Sequence, residues 1–393
     1  MAETSPPDTD KQKSVRDLLQ EEQTLRSFTE QVLDCRQLEL EIAESENKRL
    51  LKKLDHLSKE LSETRTELAR ARNQLECKDR PWQDAGHPVS RPQPHRKDVS
   101  DSEAKDAYKA LCDKIYRWVQ SRLCGTLEAL ASGQAKKPAS QQAAKFLSLL
   151  REPGKRCLSV HGSDEYHVVA AIMYYLWLAL FSKPFYCPLD DSGEDSTLLW
   201  IVGVESAMSK SRDIEHTRSW RSETLAALSC QKSFQSRREA YLYLLSKDLA
   251  SYLGVVFPGL CATELQASLV KSVMQPAAQL AHRLHTSTNI FWLKWPLKTA
   301  SSRLEVYDCV NLADGGRSMD LSGTLPESSS RRRAKYLFDI APGLFIERVE
   351  GGKKMAIKSI CRPRVLIHAG EGESQVQHRS TLMTWLYSAS SAG

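Results

Sequence analysis

The chain has 393 residues, with 55 Lys and Arg against 49 Asp and Glu, a formal net charge of +6. That length leaves room for two or three domains. Residues 1–80 hold 15 basic against 18 acidic residues and the rest hold 40 against 31, an excess compatible with weak polyanion attraction that does not by itself mark a nucleic-acid binder. The ten cysteines lie far apart without a CxxC pair, so a zinc site by local spacing is unsupported. Met1 to Asp10 is acidic and proline-containing, with no apolar core. The expectation is an intracellular protein, cytoplasmic or nuclear and not secreted, with reduced thiols.

Residues 1–13 read as a disordered tail of Ser, Pro, Asp, Thr and Lys. Leu33, Leu40, Asn47, Leu54, Leu61, Leu68 and Leu75 then recur at every seventh position. With that row at a, the d row reads Arg36, Ala43, Leu50, Leu57, Thr64 and Ala71. The opposite assignment fills the a row with Gln37, Glu44, Leu51, Ser58, Arg65 and Arg72, which is far more polar. A heptad seam sustained this long is hidden by supercoiling against a partner, so residues 14–80 read as a coiled coil. The dimerisation seam is Leu33, Leu40, Asn47, Leu50, Leu54, Leu57, Leu61, Leu68 and Leu75.

A lone Asn at a, here Asn47, specifies register and two strands at a cost in stability. In a parallel dimer Glu60–Arg65 and Glu67–Arg72 attract, whereas Glu39 facing Glu44 repels. Such exposed pairs are worth about 0.2–1 kcal/mol each and choose partners more than they hold them. The polar d positions leave room for a heteromeric partner beside the homodimer. Leu18, Leu25 and Val32 share the spacing one residue out of phase, which places a discontinuity near Val32. As one helix, Ser14 to Asp79 spans about 100 Å; the competing reading is a long solvated helix that never pairs. A basic leucine zipper is excluded, because Asp17, Glu21, Glu22, Glu30 and Asp34 occupy the segment where phosphate-binding arginines would stand.

Pro81, Pro88, Pro92 and Pro94 make residues 81–99 a flexible, semi-extended linker. Residues 100–288 read as a helical core. Ser100 to Glu103 is a capping box, with Ala104, Tyr108, Leu111, Ile115, Trp118, Val119 and Leu123 on one face, and Gly125 is expected to interrupt. A helix follows over Gln141 to Arg151, stopped by Pro153-Gly154. Ser163 is expected to cap the next helix with Asp164 and Glu165 as first-turn acids. Val168 to Phe181 is apolar for fourteen residues. A bilayer needs about 20, so this reads as a central helix buried on all sides. Leu198 to Val204 is a strand or a helical turn, and a polar helix covers Glu205 to Leu228. Ser236 and Glu239 suggest another capping box, and a kink or break is expected at Pro276.

Beyond Asn289 the apolar residues alternate over short runs, and Glu350-Gly351-Gly352-Lys353 suggests a β-hairpin. Leu382 to Tyr387 reads as a last helical turn. Residues 289–390 are therefore a mixed α/β part packed on the same domain. The fold class is mainly α: a long N-terminal coiled-coil helix, a proline-rich linker, and a mostly helical globular domain with a small β-rich C-terminal part.

Two segments, SDSEAKDAYKALCDKIYRWVQSRL and IAPGLFIERVEGGKKMAIKSICRPRVLI, resemble a large group of filamentous-fungal proteins that join a coiled coil to a helical domain ending in a PGL-containing stretch. The resemblance covers roughly residues 98–370. No activity is assigned to that group, so it implies the architecture and transfers no site residue.

Motifs for chemistry are missing. There is no GxxxxGK[ST], no GxGxxG after a strand and no GxSxG elbow. The densest set of potential ligands is His161, Asp164, Glu165 and His167, where the acids are explained by the helix start and His167 by a core position. The loop of Asp190, Asp191, Glu194 and Asp195 lacks the order of a calcium loop. Arg331, Arg332, Arg333 and Lys335 form a possible basic patch for nuclear import or phosphate contact. Trp292 and Trp295 around Lys294 read as core or interface residues. No catalytic residue, metal ligand or cofactor is expected. The first reading is a non-enzymatic interaction or scaffold protein that dimerises, or pairs with a different coil, through residues 14–80 and presents a helical binding domain. The alternative is a nuclear or nucleic-acid-associated regulator using the basic second domain, and the third an enzyme with an unrecognised site.

Overall fold

The computed structural model describes scattered positions from 20 to 66, including all of 44–64, and then residues 98–190, 195–296, 304–319, 334–369 and 381–391. The chain divides into two units, Met1–Pro92 and Gln93–Gly393. In the first unit residues 44–64 are helical throughout. The second is mainly helical, with a small β part towards its C-terminal end.

Helix α1 (Asp101–Ala131) starts at the capping box: the Ser100 hydroxyl accepts the Glu103 N–H at 3.2 Å, and Glu103 Oε2 accepts the Ser100 N–H at 2.9 Å. It buries Tyr108, Leu111, Ile115, Trp118, Val119 and Leu123 and passes through Gly125 without a break. Nothing lies within 4 Å of a Cβ placed at Gly125, so that glycine only weakens the helix locally. Helix α2 (Ser140–Ser148) follows, and Pro153 opens the short α3 (Glu152–Lys155) instead of stopping a helix, since a proline lacking N–H suits a first turn.

Helix α4 (Asp164–Leu176) is the centre of this unit and runs into a wider π turn, Trp177–Phe181. Val168, Ile172, Leu176 and Leu180 are fully buried, while Leu178 emerges at the end. It packs against α1, strand β4 (Lys335–Ala341) and the final helix α10 (Leu382–Ser390). Among the described residues no helix is long and apolar enough to cross a membrane.

The next segment differs from expectation. Residues 196–229 form two helices, α5 (Ser196–Ser211) and α6 (Ile214–Ser229), so Leu198 to Val204 is helical and the expected single polar helix is split. Asp213 makes the break by capping α6, its Oδ1 accepting the His216 N–H at 2.8 Å. Helix α7 (Lys232–Leu253) begins one turn before the expected Ser236 box, because burying Phe234 draws the preceding residues into the helix. At Pro276 the chain does not break. Helix α8 (Ala262–Leu269) passes through a π turn, Val270–Met274, into α9 (Gln275–His285), and Pro276 lies in the first turn of α9.

One antiparallel sheet has the order β1 (Ile290–Lys294), β5 (Gly343–Glu347), β8 (Lys358–Cys361). The other has the order β3 (Arg317–Met319), β2 (Asp308–Asn311), β9 (Arg364–His368), β4, with β2 and β9 parallel. The chain changes sheet between β4 and β5 at Pro342-Gly343. A Cβ at Gly343 would stand 2.7 Å from Pro363, so only glycine fits that crossing. The Tyr108 hydroxyl donates to the Pro342 carbonyl and ties the crossing to α1. Gly351 and Gly352, both at positive φ, turn the hairpin of β6 (Val349–Glu350) and β7 (Lys353–Lys354) as expected.

Candidate interaction surfaces and the polar cleft

The seam residues that the structure describes lie on a helix with no core of its own. Leu33, Leu40, Leu50, Leu54, Leu57 and Leu61 are each more than half exposed, and Asn47 is exposed in the same row. Thr64, polar at d, returns its hydroxyl to the Glu60 carbonyl at 3.0 Å and so needs no partner across a seam. Lys59–Glu63 at 4.0 Å and His56–Glu60 at 3.6 Å run along the same helix away from the a and d rows. Leu68 and Leu75, and the residues expected to pair with Glu60 and Glu67, lie outside the described residues.

Arg331, Arg332 and Arg333 also lie outside the described residues. Lys335, exposed, opens β4 next to Tyr336, whose hydroxyl turns inward onto Asp339. Asp339 is buried and also accepts from Arg151 Nη1 at 2.7 Å. Trp292 is 44% exposed at the sheet edge with the Lys294 ammonium 5.4 Å from its ring centre, whereas Arg151 covers Trp295 at 4.5 Å.

The set of His161, Asp164, Glu165 and His167 does not converge on one site, in keeping with a core position for His167. His161 is exposed. The Ser163 hydroxyl donates back to Val160 and caps nothing. Asp164 is not simply a first-turn acid: its carboxylate accepts the N–H groups of Leu382 at 3.3 Å and Met383 at 3.1 Å, capping α10 from more than 200 residues away. Burial raises its pKa, and those two hydrogen bonds oppose the rise. His167 is buried with Nδ1 2.9 Å from the Ser163 carbonyl and Nε2 3.1 Å from that of Gly154. Desolvation pushes its pKa down to about 4, so the ring is neutral at pH 7. Asp190 and Asp195 are spent on the start of α5, Asp190 accepting from Ser196 and Thr197 and Asp195 from the Leu189 N–H. Among the described residues no three His, Cys, Asp or Glu side chains are grouped to hold a metal ion.

A polar site that sequence spacing does not reveal lies where the second unit begins. Asp98 accepts from the Val99 N–H at 2.9 Å, Ser287 Oγ at 2.6 Å, Asn289 Nδ2 at 3.1 Å and the Thr288 hydroxyl. Asp98 and Val99, read from sequence as linker, are thus part of the folded unit. Beside them opens a cleft of about 260 Å³ lined by Glu103, Ser222, Arg283 and Thr286 to Thr288. The hydroxyl protons there are committed inward: Ser222 donates to the Thr286 carbonyl at 2.5 Å and Thr286 to the His282 carbonyl at 2.8 Å. The lining mixes the Arg283 guanidinium with the Glu103 carboxylate, and Ser222 has a carbonyl where a nucleophile would need a base.

Behind the cleft, Arg218 donates to the carbonyls of Ser287 and Thr288, each at 3.1 Å, and shares Glu205 with Arg221 at 3.3 and 2.7 Å. Next to this pair, His285 is held down to about 3 by burial and then by the charges of Arg221 and Arg218. Glu103 belongs to the Ser100 box and Asp98 adjoins it, but the side-chain partners of Asp98 stand some 190 positions away. No protein-family model, curated protein or solved structure matches this chain.

Proposed function

We propose that this chain is a non-enzymatic interaction or scaffold protein: residues 14–80 pair as a coiled coil, and the helical domain after the linker presents a second binding surface. The observation that carries the reading is the row of leucines whose described members are each more than half exposed. Each buried Leu is worth about 1.5–3 kcal/mol, and only a second helix laid along the row recovers that. Pairing joins two copies of the domain, so avidity is the mechanism this architecture supports. The committed hydroxyl protons of the cleft support binding over nucleophilic catalysis.

Sedimentation equilibrium of the full chain tests the first half of the reading. Wild type is expected to be two-stranded and Leu54→Pro to be monomeric; a Leu54→Pro chain that stayed dimeric would sink the coil reading. The second half is tested by retention from native lysate. Partners that disappear with Leu54→Pro place selectivity in the coil, and partners that persist place it in the domain. Retention on a polyanion that falls steeply with salt would favour the nucleic-acid reading instead.

A further inference from the structure

The leucine seam fits a reversed copy of itself. When two such helices lie antiparallel, each a residue meets a d residue of the other copy, while e flanks e and g flanks g. Residues 47–64 are helical and exposed throughout. Matching Leu54 with Leu57 of a second copy sets Leu50 against Leu61 and Asn47 against Thr64, so the seam positions of this window pair off among themselves. A shift of one heptad either way sets Asn47 against Leu57 or Ala71 instead.

Thr64 separates the two orientations. Its hydroxyl donates to the Glu60 carbonyl at 3.0 Å, with that of Leu61 at 3.1 Å, so its proton is spent and its lone pairs remain. A parallel pair satisfies Asn47 with its own copy but sets two such oxygens face to face in the seam with no donor between them. In the antiparallel register each Thr64 oxygen meets an Asn47 amide, which has two N–H donors. The residue order beyond the window, read from sequence alone, agrees. Leu40 meets Ala71 and Leu68 meets Ala43, large against small, where parallel pairing sets alanine on alanine and Arg36 on Arg36.

The flanking charges balance between the orientations. Antiparallel pairing attracts at Lys53–Glu60 and Glu44–Arg65 and repels at Glu46–Glu67. Parallel pairing attracts at Glu60–Arg65 and Glu67–Arg72 and repels at Glu39–Glu44. The seam residues therefore decide. We infer that the seam pairs with a second copy of this chain in the antiparallel orientation, Asn47 of each copy donating to Thr64 of the other. The inference rests on the coiled-coil reading and gives that coil its partner and its direction. The two chains leave the paired window at opposite ends, which suits the dimer to targets that carry two separated sites.

Charge exchange in the full chain, read by sedimentation equilibrium at low salt, tests the orientation. Lys53→Glu sets a carboxylate opposite Glu60 of the other copy, twice in each dimer, and should weaken association about tenfold; Glu60→Lys should do the same. The double variant Lys53→Glu, Glu60→Lys restores both attractions and should associate within about twofold of wild type. Both positions are exposed, so the melting of the domain should not move in any of these chains. In a parallel pair Lys53 faces Ser58. Lys53→Glu would then associate as wild type does, and the double variant would be as weak as Glu60→Lys. That pattern, or equal association of all four chains, overturns the inference while the coil reading stands. A wild-type chain that is monomeric when pure overturns both and leaves the seam to a different protein.

Discussion

Residues 44–64 and helix α4 are both leucine-rich or apolar helices, and they meet opposite fates. Leu50, Leu54, Leu57 and Leu61 are each more than half exposed, whereas Val168, Ile172, Leu176 and Leu180 have no exposed surface. The difference lies in the width of the apolar pattern. Apart from Leu51, the first helix is apolar only on its a and d rows, a seam narrow enough for one neighbouring helix to cover. The run from Val168 to Phe181, α4 and its π turn, is apolar at every position and needs neighbours on most sides, which α1, β4 and α10 supply from its own chain, with Leu178 emerging at the end. The width of the apolar stripe counts the neighbours a helix requires, and a shortfall within the chain points to another chain.

The largest expected effects break this comparison from its two ends. Leu54→Pro removes a hydrogen bond and a seam residue from the N-terminal helix. Association should weaken at least a hundredfold by sedimentation, with the melting of the domain unchanged. Ile172→Ala empties a site at the centre of α4 and should cost about 2–5 kcal/mol in urea unfolding, with association of the folded protein unchanged. A Leu54→Pro chain that lowered domain melting, or an Ile172→Ala chain that lost association while folded, would show that the two helices are not independently stabilised.

Next comes Asn47→Leu, which narrows the difference between the helices by making the seam more apolar. Leucine at this a position should raise coil stability by roughly 2 kcal/mol and let trimers appear beside dimers, read by thermal melting and sedimentation. An unchanged melting temperature with a strict dimer would place Asn47 outside the seam.

What could be read in advance follows the same division between local and distant causes. The Ser100 box, the buried run from Val168 and the Gly351-Gly352 hairpin rest on residues adjacent in sequence, and the structure has all three. The start of α7 differs from the expected one because Phe234 burial outweighs the box at Ser236 and Glu239, and the helix expected over Glu205 to Leu228 is split because Asp213 caps α6 at the His216 N–H. Asp164 and Asp98 were out of reach for another reason. The first caps a helix starting at Leu382 and the second gathers hydroxyls from Ser287 and Thr288, and no spacing rule connects positions so far apart. The exposure of α5 was out of reach because Leu198 to Val204 reads equally well as a strand or a helical turn, and only the fold leaves Leu199 and Trp200 outside.

The smallest effect separates the two helices by their tolerance of charge. His56 stands exposed on the N-terminal helix beside Glu60, whereas His167 and His285 are buried with pKa values pushed down to about 4 and about 3, by desolvation first in both cases. A histidine whose pKa is lower folded than unfolded binds fewer protons in the native state. Stability is then full above the unfolded value of about 6.5 and is lost as pH falls below it. Between pH 7 and 5.5 each buried ring should cost the domain about 1 kcal/mol, while coil association stays constant. His285 Nδ1 has no hydrogen-bond partner and the ring packs on Phe185 and Tyr186, so His285→Phe should leave stability at pH 7 unchanged or higher. It should also remove about half of the acid-induced loss in urea titrations at the two pH values. An acid slope identical to wild type would mean that His285 is already protonated, or already reached by water, in the folded domain.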